Sequence, residues 1–443
     1  MSNYFFRTLE LLAIITFAYI SIDILYAEDW LRFSTGFFLL GIYIYISTLF
    51  RKRIGIVTPS YLFLYLIGMC VNILYPYYFS NSVLDEYRSL NYSILWPQDH
   101  FYMYAAIIFV FFIIVLMYLS LKSKQQKFIM DFQISNNEML VVLFTNLILC
   151  LPVALFIGYT NSVICGPGLM YFALIYFLYK NNIEKYKNIK KTYIYSGLIV
   201  CLLGLMTIVT KRFLIIQYIF PIIMALFIMK QLDTTKCNFK KYFLGCSIFV
   251  IVIIAYGIIS EMIKLNIYYN QSYSIDNINF DFIRVFAIRQ IYRIFGVWTH
   301  LGGNIIDYVN YHGYFYGLTY IKSLAYLFDF EYISLPDISA KLIRAGYAQP
   351  GLLAESYANF GIVGSIIGLT SMFLFMELVF NFFVKAKPNN MIYCFIFSIF
   401  PFTAVLLDGG TINSIIVFYV YCFINFFSVA VWRYYFNGHK RYT

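Results

Sequence analysis

Two segments, IKLNIYYNQS at residues 263–272 and GYAQPGLLAESYAN at residues 346–359, bound the one extended interval of the chain that is too polar for a bilayer. On either side of this interval the sequence is a series of apolar runs of about 20 residues, the length that an α-helix needs to cross a hydrocarbon core. We therefore expect a membrane domain with one large loop, residues 263–359. Because this loop collects arginines, histidines and carboxylates, we expect the chemistry there.

The composition agrees with an integral membrane protein. Hydrophobic residues make up 62% of the 443 residues and charged residues only 12%, roughly half the charged share of a soluble domain. Since successive apolar runs share one bilayer, the length does not indicate several soluble domains. We predict an all-α polytopic fold in which residues 1–443 form a single membrane domain and loop 263–359 carries short helices.

Twelve apolar runs are long enough to span a membrane. They lie near residues 8–26, 31–50, 59–78, 101–121, 139–158, 163–179, 192–210, 213–229, 242–262, 360–383, 391–407 and 411–432. Most Lys and Arg residues follow the even-numbered runs in short loops, such as Arg51–Arg53 and residues 180–191. Loops rich in these residues stay in the cytoplasm. Both termini are therefore predicted in the cytoplasm, and loop 263–359 outside it.

Several functions have no support in the sequence. The eight cysteines lie almost entirely inside apolar runs without a CxxC pair, so we predict neither a disulfide framework nor a metal site. The net charge of +11 is spread over loops and forms no basic stripe with interleaved aromatics, which argues against nucleic-acid binding. Motifs for nucleotide hydrolysis, zinc proteolysis and serine hydrolysis are missing. We expect no cofactor.

A basic pair interrupts an otherwise apolar hairpin. Lys211 and Arg212 lie in TIVTKRFLIIQYIF, residues 207–220, on the side where the topology disfavours cations. Two adjacent cations at such a place indicate a bound anion. The alternative is a simple turn whose two long side chains reach back to the membrane interface.

The segment FDFIRVFAIRQIYRIFGVWTH, residues 280–300, has the apolar spacing of an amphipathic helix. Arg289 and Arg293 stand four residues apart on one face, and Arg284 is close by. Like charges at this spacing repel each other unless an anion lies between them, and a guanidinium group binds phosphate through two parallel hydrogen bonds. The pattern predicts either a pyrophosphate site or a helix that rests on lipid phosphates.

Residues 346–364, GYAQPGLLAESYANFGIVG, lead from the loop into the tenth run. Their glycines and Pro350 predict a tight return toward the membrane with a close approach of the backbone. Glu355 needs a partner or a task near the membrane face, either as a base or acceptor-positioning group or in an ion pair with a loop arginine. His300 is the second catalytic candidate, and a hydrogen-bonded structural histidine is the alternative.

This combination resembles the Wzy-type O-antigen and oligosaccharide repeat-unit polymerases of bacteria, which are related to the O-antigen ligases. The resemblance lies in about a dozen spans, one dominant outer loop late in the chain, arginines in that loop and the basic pair Lys211-Arg212. It also includes YANFGIVG at residues 357–364, where the loop enters the next span.

The resemblance implies a metal-independent glycosyltransferase of the bacterial cytoplasmic membrane. Such an enzyme transfers a growing glycan from undecaprenyl diphosphate to the next lipid-linked repeat unit at the outer face. His300 and Glu355 would serve the acceptor hydroxyl. The implied partners are undecaprenyl-diphosphate-linked oligosaccharides, membrane lipids and a chain-length regulator protein. The diphosphate would be bound by the outer cations Lys211, Arg212, Arg284, Arg289 and Arg293.

Two alternatives remain open, a ligase-like glycosyltransferase and a flippase or transporter for lipid-linked oligosaccharides. A flippase is expected to keep charges deep inside its spans, where they line a polar path. In this chain the acidic residues of the runs lie toward run ends, as Glu261 and Glu377 do, and charge collects in the outer loop. The distribution favours an enzyme.

Overall fold

The computed structural model describes residues 98–121, 135–156, 171, 175, 297–320, 331–342, 350–399 and 412–438. Within these ranges the chain is helical apart from short turns, and none of these residues forms a β-strand. The all-α prediction is confirmed for this part of the chain. Its helices are α1 (Gln98–Leu121), α2 (Asn136–Phe156), α3 (Val297–His312), α4 (Leu335–Leu342), α5 (Gly351–Lys385), α6 (Pro388–Ile399) and α7 (Ile412–Gly438).

Five of these helices overlap predicted spans, namely α1, α2, α5, α6 and α7, whereas the short helices α3 and α4 fall inside residues 263–359. Among the described residues, one stretch, Gly351–Phe382 in α5, is long and apolar enough to cross a membrane. The other predicted spans lie almost wholly outside the described residues. The number of spans therefore stays a prediction.

The chain divides into two compact units. Unit one contains α1, α3, α4, helix α5 as far as Leu378 and the first residues of α7 through Ser414. Unit two contains α2, the end of α5, α6 and α7 from Ile415 onward. Helices α5 and α7 each contribute to both units. That residues 1–443 form a single membrane domain stays a prediction.

In unit one, α3 packs closely against α1 at Gly302. A Cβ atom at this position would overlap the ring of the fully buried Tyr104, so only glycine allows the two helices this separation. Helix α3 also packs against α4 and the beginning of α5. The shared core of these three elements consists of Ile305, Val309, Leu335, Ala354 and Ala358.

Helix α5 reverses direction at Phe360 and Gly361, whose backbone angles are not helical. The Ser365 hydroxyl donates a hydrogen bond of 3.0 Å to the carbonyl of Leu353, twelve residues earlier. In a straight helix those residues would be about 18 Å apart. Helix α5 is therefore two arms folded against each other, a short arm (residues 351–359) and a long arm (residues 362–385). The reversal agrees with the predicted tight return of the chain.

Glycines of the long arm make the fold-back possible. A Cβ atom at Gly364 would lie 2.7 Å from the Ser356 carbonyl oxygen, and one at Gly368 would overlap the Ser356 side chain. The long arm also packs on α1, where the Phe373 ring meets Phe111 edge-on at a centroid distance of 6.1 Å. At a rise of about 1.5 Å per residue, the long arm alone is long enough for a hydrocarbon core.

Within unit two, Arg433 of α7 connects the first turns of two other helices. Its guanidinium group donates to Glu138 at 2.6 Å and to Asn390, which brings the beginnings of α2 and α6 together. Glu138 also forms a reciprocal capping pair with Ser135, which satisfies backbone donors at the beginning of α2. Farther along, the buried amides of Asn146 and Asn425 exchange two hydrogen bonds of 2.8 and 3.2 Å.

Candidate functional site

Buried polar side chains concentrate in unit one, where the short arm meets the turn segment 313–320. Glu355, Ser356 and Asn359 project from the short arm, and Thr319 comes from the turn segment; each is at most 2% exposed. Burying polar groups among apolar neighbours is costly unless they are hydrogen bonded. The contacts of this polar cluster therefore decide what the cluster does.

Asn359 connects the two parts of the cluster. Its amide nitrogen donates to the Thr319 hydroxyl at 2.6 Å and to the Glu355 carbonyl at 2.8 Å, and its amide oxygen accepts the Gly317 N–H at 2.7 Å. The neighbouring Ala358 carbonyl accepts the Phe315 N–H at 2.8 Å. The turn segment is thus fastened to the end of the short arm by both backbone and side chain.

The Glu355 carboxylate lies at the beginning of α7. It accepts the backbone N–H of Ile412 at 2.7 Å and is hydrogen bonded to the Thr319 hydroxyl. An oxygen acceptor at a helix N-terminus satisfies one of the N–H groups that have no partner within the helix. This arrangement supplies the buried carboxylate with partners, and it makes Glu355 the link between the short arm, the turn segment and α7.

Two tyrosines extend the cluster toward the neighbouring helices. The Tyr320 hydroxyl donates to Ser356 at 3.1 Å, and burial raises the pKa of Tyr320 above its ordinary value although this hydrogen bond partly offsets the rise. The Tyr357 hydroxyl lies 3.0 Å from Asn310 Oδ1 of α3 and 3.2 Å from the Met103 sulfur of α1. Both phenols hold the short arm in place.

The turn segment has an unusual backbone. Gly313 and Gly317 have positive φ values of 88° and 95°, and Tyr316 has a φ of 50°, which is uncommon for a residue with a side chain. Hydrogen bonds within the turn, from Leu318 N–H to Phe315 O and from Tyr320 N–H to Gly317 O, are each 3.0 Å. The segment is a fixed structure.

His312 ends α3 next to this segment, and its side chain is exposed. Its Nδ1 lies 2.8 Å from the Tyr308 carbonyl oxygen, and its ring stacks on the Tyr308 ring at a centroid distance of 4.0 Å. Because a carbonyl oxygen only accepts, Nδ1 carries the proton in this contact. In the neutral imidazole, Nε2 then keeps its lone pair.

The structure describes only part of the predicted site. Glu355 lies in the polar cluster, and the backbone of His300 lies in α3, but the side chain of His300 is outside the described residues. The predicted amphipathic helix near residues 281–297 is outside them almost entirely. The same holds for all five predicted diphosphate ligands, Lys211, Arg212, Arg284, Arg289 and Arg293.

Sequence reasoning missed the residues that surround Glu355. Thr319, Tyr320 and the turn segment are not among the predicted site residues, although the alternation of glycine and aromatic residues in HGYFYGLTY at 312–320 is a signal for a turn that exposes rings. Asn359 lies within the YANFG stretch, to which the sequence assigns no role of its own. Its role depends on a partner 40 residues away in sequence, Thr319.

Comparison with known proteins gives a family but no relative of established function. The chain matches DUF6032, described as a family of unknown function, over residues 11–440. No curated protein and no solved structure matches the chain. Because the match covers nearly the whole sequence, this protein belongs to DUF6032.

Proposed function

We propose that the protein is a polymerase that joins undecaprenyl-diphosphate-linked oligosaccharide repeat units into O-antigen or capsule-type polysaccharide. In this proposal the chain has about twelve spans, both termini lie in the cytoplasm, and residues 263–359 face the outer side of the bacterial cytoplasmic membrane. The observation that carries the proposal is the polar cluster at the reversal of α5. A buried, hydrogen-bonded polar network in apolar surroundings marks a functional region by default.

The chemistry of the proposed reaction fits such a site. A sugar diphosphate is a good leaving group, so the enzyme has to stabilise charge on the departing oxygen and accept a proton from the acceptor hydroxyl. The predicted cations Arg212, Arg289 and Arg293 supply the first requirement by residue type. A histidine supplies a group for the second, and the reaction makes no demand for a metal.

Within the proposal, Glu355 positions other groups and a histidine accepts the proton. The Glu355 carboxylate is only 2% exposed and is hydrogen bonded to Ile412 and Thr319, which leaves it poorly placed to reach a substrate hydroxyl. His312 is exposed and its Nε2 takes no part in the contact with Tyr308, and His300 lies twelve residues earlier in the same helix. These two histidines are the proposed proton acceptors.

Contacts in unit one support the outer placement of the polar cluster. Glu355 of the short arm meets Ile412 at the beginning of α7, and Tyr357 meets Met103 near the beginning of α1. The charge distribution of the sequence independently predicts the beginnings of α1 and α7 on the outer side, and the short arm belongs to the outer loop. All of these parts therefore share one predicted side.

Contacts in unit two support the predicted cytoplasmic placement of three helix ends. Arg433 near the end of α7 is bonded to Glu138 at the beginning of α2 and to Asn390 in the first turn of α6. The sequence places each of these three helix ends in the cytoplasm. The three contacting residues therefore agree in their predicted sidedness.

The test is the surface-polysaccharide banding pattern of a strain from which the gene is deleted, with the unsubstituted gene restored on a plasmid as the control. Loss of a polymerase leaves chains that carry a single repeat unit, and restoration returns the long ladder. Complete absence of decorated chains in the deletion strain would contradict the proposal and would favour a ligase or a flippase.

A further inference from the structure

Three tyrosines close together in sequence expose their rings on unit one. Tyr311, Tyr314 and Tyr316 are 91%, 41% and 76% exposed. Tyr314 is supported from both sides, because its ring contacts Tyr316 at a centroid distance of 6.5 Å and Tyr357 at 6.3 Å, both edge-on. Aromatic side chains with a polar tip are enriched at recognition surfaces, where one end packs and the other hydrogen bonds. We call these three residues the tyrosine surface.

Hydrogen bonds hold the backbone that carries the tyrosine surface. Gly313 N–H bonds to Val309 O at 2.8 Å, and the Phe315 and Gly317 N–H groups bond to the short arm. Tyr316 keeps its ring exposed although its positive φ strains the backbone. Packing does not explain a tyrosine there, since glycine adopts this φ without strain and the ring contributes little buried area. Such strain, once observed, points to a function of the side chain.

The chemistry of the segment fits an uncharged polyhydroxylated ligand better than a lipid head group. Residues 308–320, YVNYHGYFYGLTY, contain no Lys or Arg, whereas recognition of anionic lipid head groups depends on clusters of these cations. The C–H face of a sugar ring carries a partial positive charge that is attracted to the negative face of an aromatic ring. The phenol hydroxyls offer hydrogen bonds to sugar hydroxyls, and so does the amide nitrogen of the exposed Asn310, whose Oδ1 accepts from Tyr357.

We propose that the tyrosine surface binds neutral sugar rings of the acceptor oligosaccharide by stacking. This inference rests on the proposed function, since it names the subsite through which one of the two glycan substrates would be held. The surface adjoins His312, whose Nε2 takes no part in the contact with Tyr308, and it is hydrogen bonded through Asn359 to the polar cluster. An acceptor stacked on the tyrosines therefore lies near a group able to take its hydroxyl proton.

The experiment measures binding of neutral oligosaccharides, released by acid from the strain's surface polysaccharide, to the full chain in nanodiscs. Tyr314→Ala and Tyr316→Gly are expected to weaken binding about tenfold, and Tyr316→Phe less, because the ring remains. Glycine suits the φ of residue 316, so Tyr316→Gly tests the ring without straining the fold. Tyr434→Ala and Tyr435→Ala are matched controls, since these tyrosines of α7 are 78% and 62% exposed and should leave binding unchanged.

Wild-type binding by both Tyr314→Ala and Tyr316→Gly would overturn the inference. A second pair of results would also overturn it. If bromine-labelled lipids quench the tryptophan fluorescence of a Tyr316→Trp variant, and oligosaccharide binding does not depend on residue 316, the surface is a membrane contact. Failure of the proposed function is distinguishable: the unsubstituted chain would then make no polymer from purified lipid-linked repeat units, whatever the binding titrations show.

Discussion

Gly361 occupies a backbone conformation that other residues adopt only under strain. Its φ of 65° and ψ of −154° lie in a region populated almost only by glycine, and a Cβ atom there would be 3.0 Å from the Tyr314 hydroxyl oxygen. The reversal of α5 depends on this residue, and so does the approach of the turn segment to the short arm.

We predict that Gly361→Ala lowers the unfolding free energy by about 1–3 kcal/mol, the usual cost of such a conformation. Gly313→Ala is the matched control, because Gly313 also has a positive φ but no atom lies within 4 Å of the position that its Cβ would occupy. Thermal unfolding in detergent measures both. A loss for Gly361→Ala no larger than that for Gly313→Ala would show that the contact with Tyr314 does not matter.

Substitutions of Glu355 distinguish a positioning role from a role as the proton acceptor. Glu355→Gln keeps an oxygen that accepts the Ile412 N–H, so we expect near-normal thermal stability and polymer formation within about tenfold of the unsubstituted chain. Glu355→Ala leaves Ile412 and Thr319 without this partner, and we expect an unfolding free energy lower by about 1–3 kcal/mol. A loss of about a hundredfold or more in Glu355→Gln, with normal stability, would instead make Glu355 the base.

The two histidines of α3 give a direct comparison. If one of them is the base, His312→Ala or His300→Ala should lower turnover by about a hundredfold while donor binding is kept, since the base acts only in bond formation. The measurement pairs polymer formation from purified lipid-linked repeat units with a donor-binding titration for each variant. Normal turnover in both variants would exclude these histidines as the base.

At the scale of elements, α5 shows how one helical sequence becomes two arms. Residues 351–385 satisfy helix-forming rules almost throughout, and the chain turns back only because glycines at 361, 364 and 368 remove the side chains that would collide. The short arm thereby carries Glu355 and Asn359 into contact with the turn segment. The long arm packs Phe373 against Phe111 and Tyr118 of α1.

The hairpin at residues 207–220 is outside the described residues, and its role is a prediction at this scale. Arg212→Ala should abolish long polymer while the protein still accumulates in the membrane, because one diphosphate contact is lost. Arg212→Lys should keep partial activity, since the charge remains without the two parallel hydrogen bonds. Polysaccharide gels and membrane immunoblots of the same cultures measure both quantities. Full activity of Arg212→Ala would indicate that Lys211 and Arg212 only mark a turn and do not bind the diphosphate.

For the whole molecule, the prediction concerns sidedness. Cysteine introduced at Ser272, in the outer loop, should react with an impermeant maleimide in intact cells, whereas cysteine at Lys387, an exposed residue between α5 and α6, should react only after the membrane is opened. The unsubstituted chain, with its own eight cysteines, gives the background. The reverse pattern of labelling would contradict both the topology and the polymerase proposal.

The sequence by itself determined the helical class of the described residues and the approximate position of five helices. Both depend on local properties, namely helix-forming residues in apolar runs whose backbone groups are satisfied within the run. The glycines around Pro350 and Gly361 likewise indicated a tight return of the chain, because the steric permissiveness of glycine is a property of the residue itself.

Only the tertiary structure decided which distant residues meet. Glu355 finds Ile412 57 residues later, Asn359 finds Thr319, and Arg433 finds Glu138 across nearly three hundred residues. An ion pair of Glu355 with a loop arginine stays a prediction, because the loop arginines lie outside the described residues. Packing alone decides such pairs, because it brings residues far apart in sequence within the roughly 3 Å that a hydrogen bond requires.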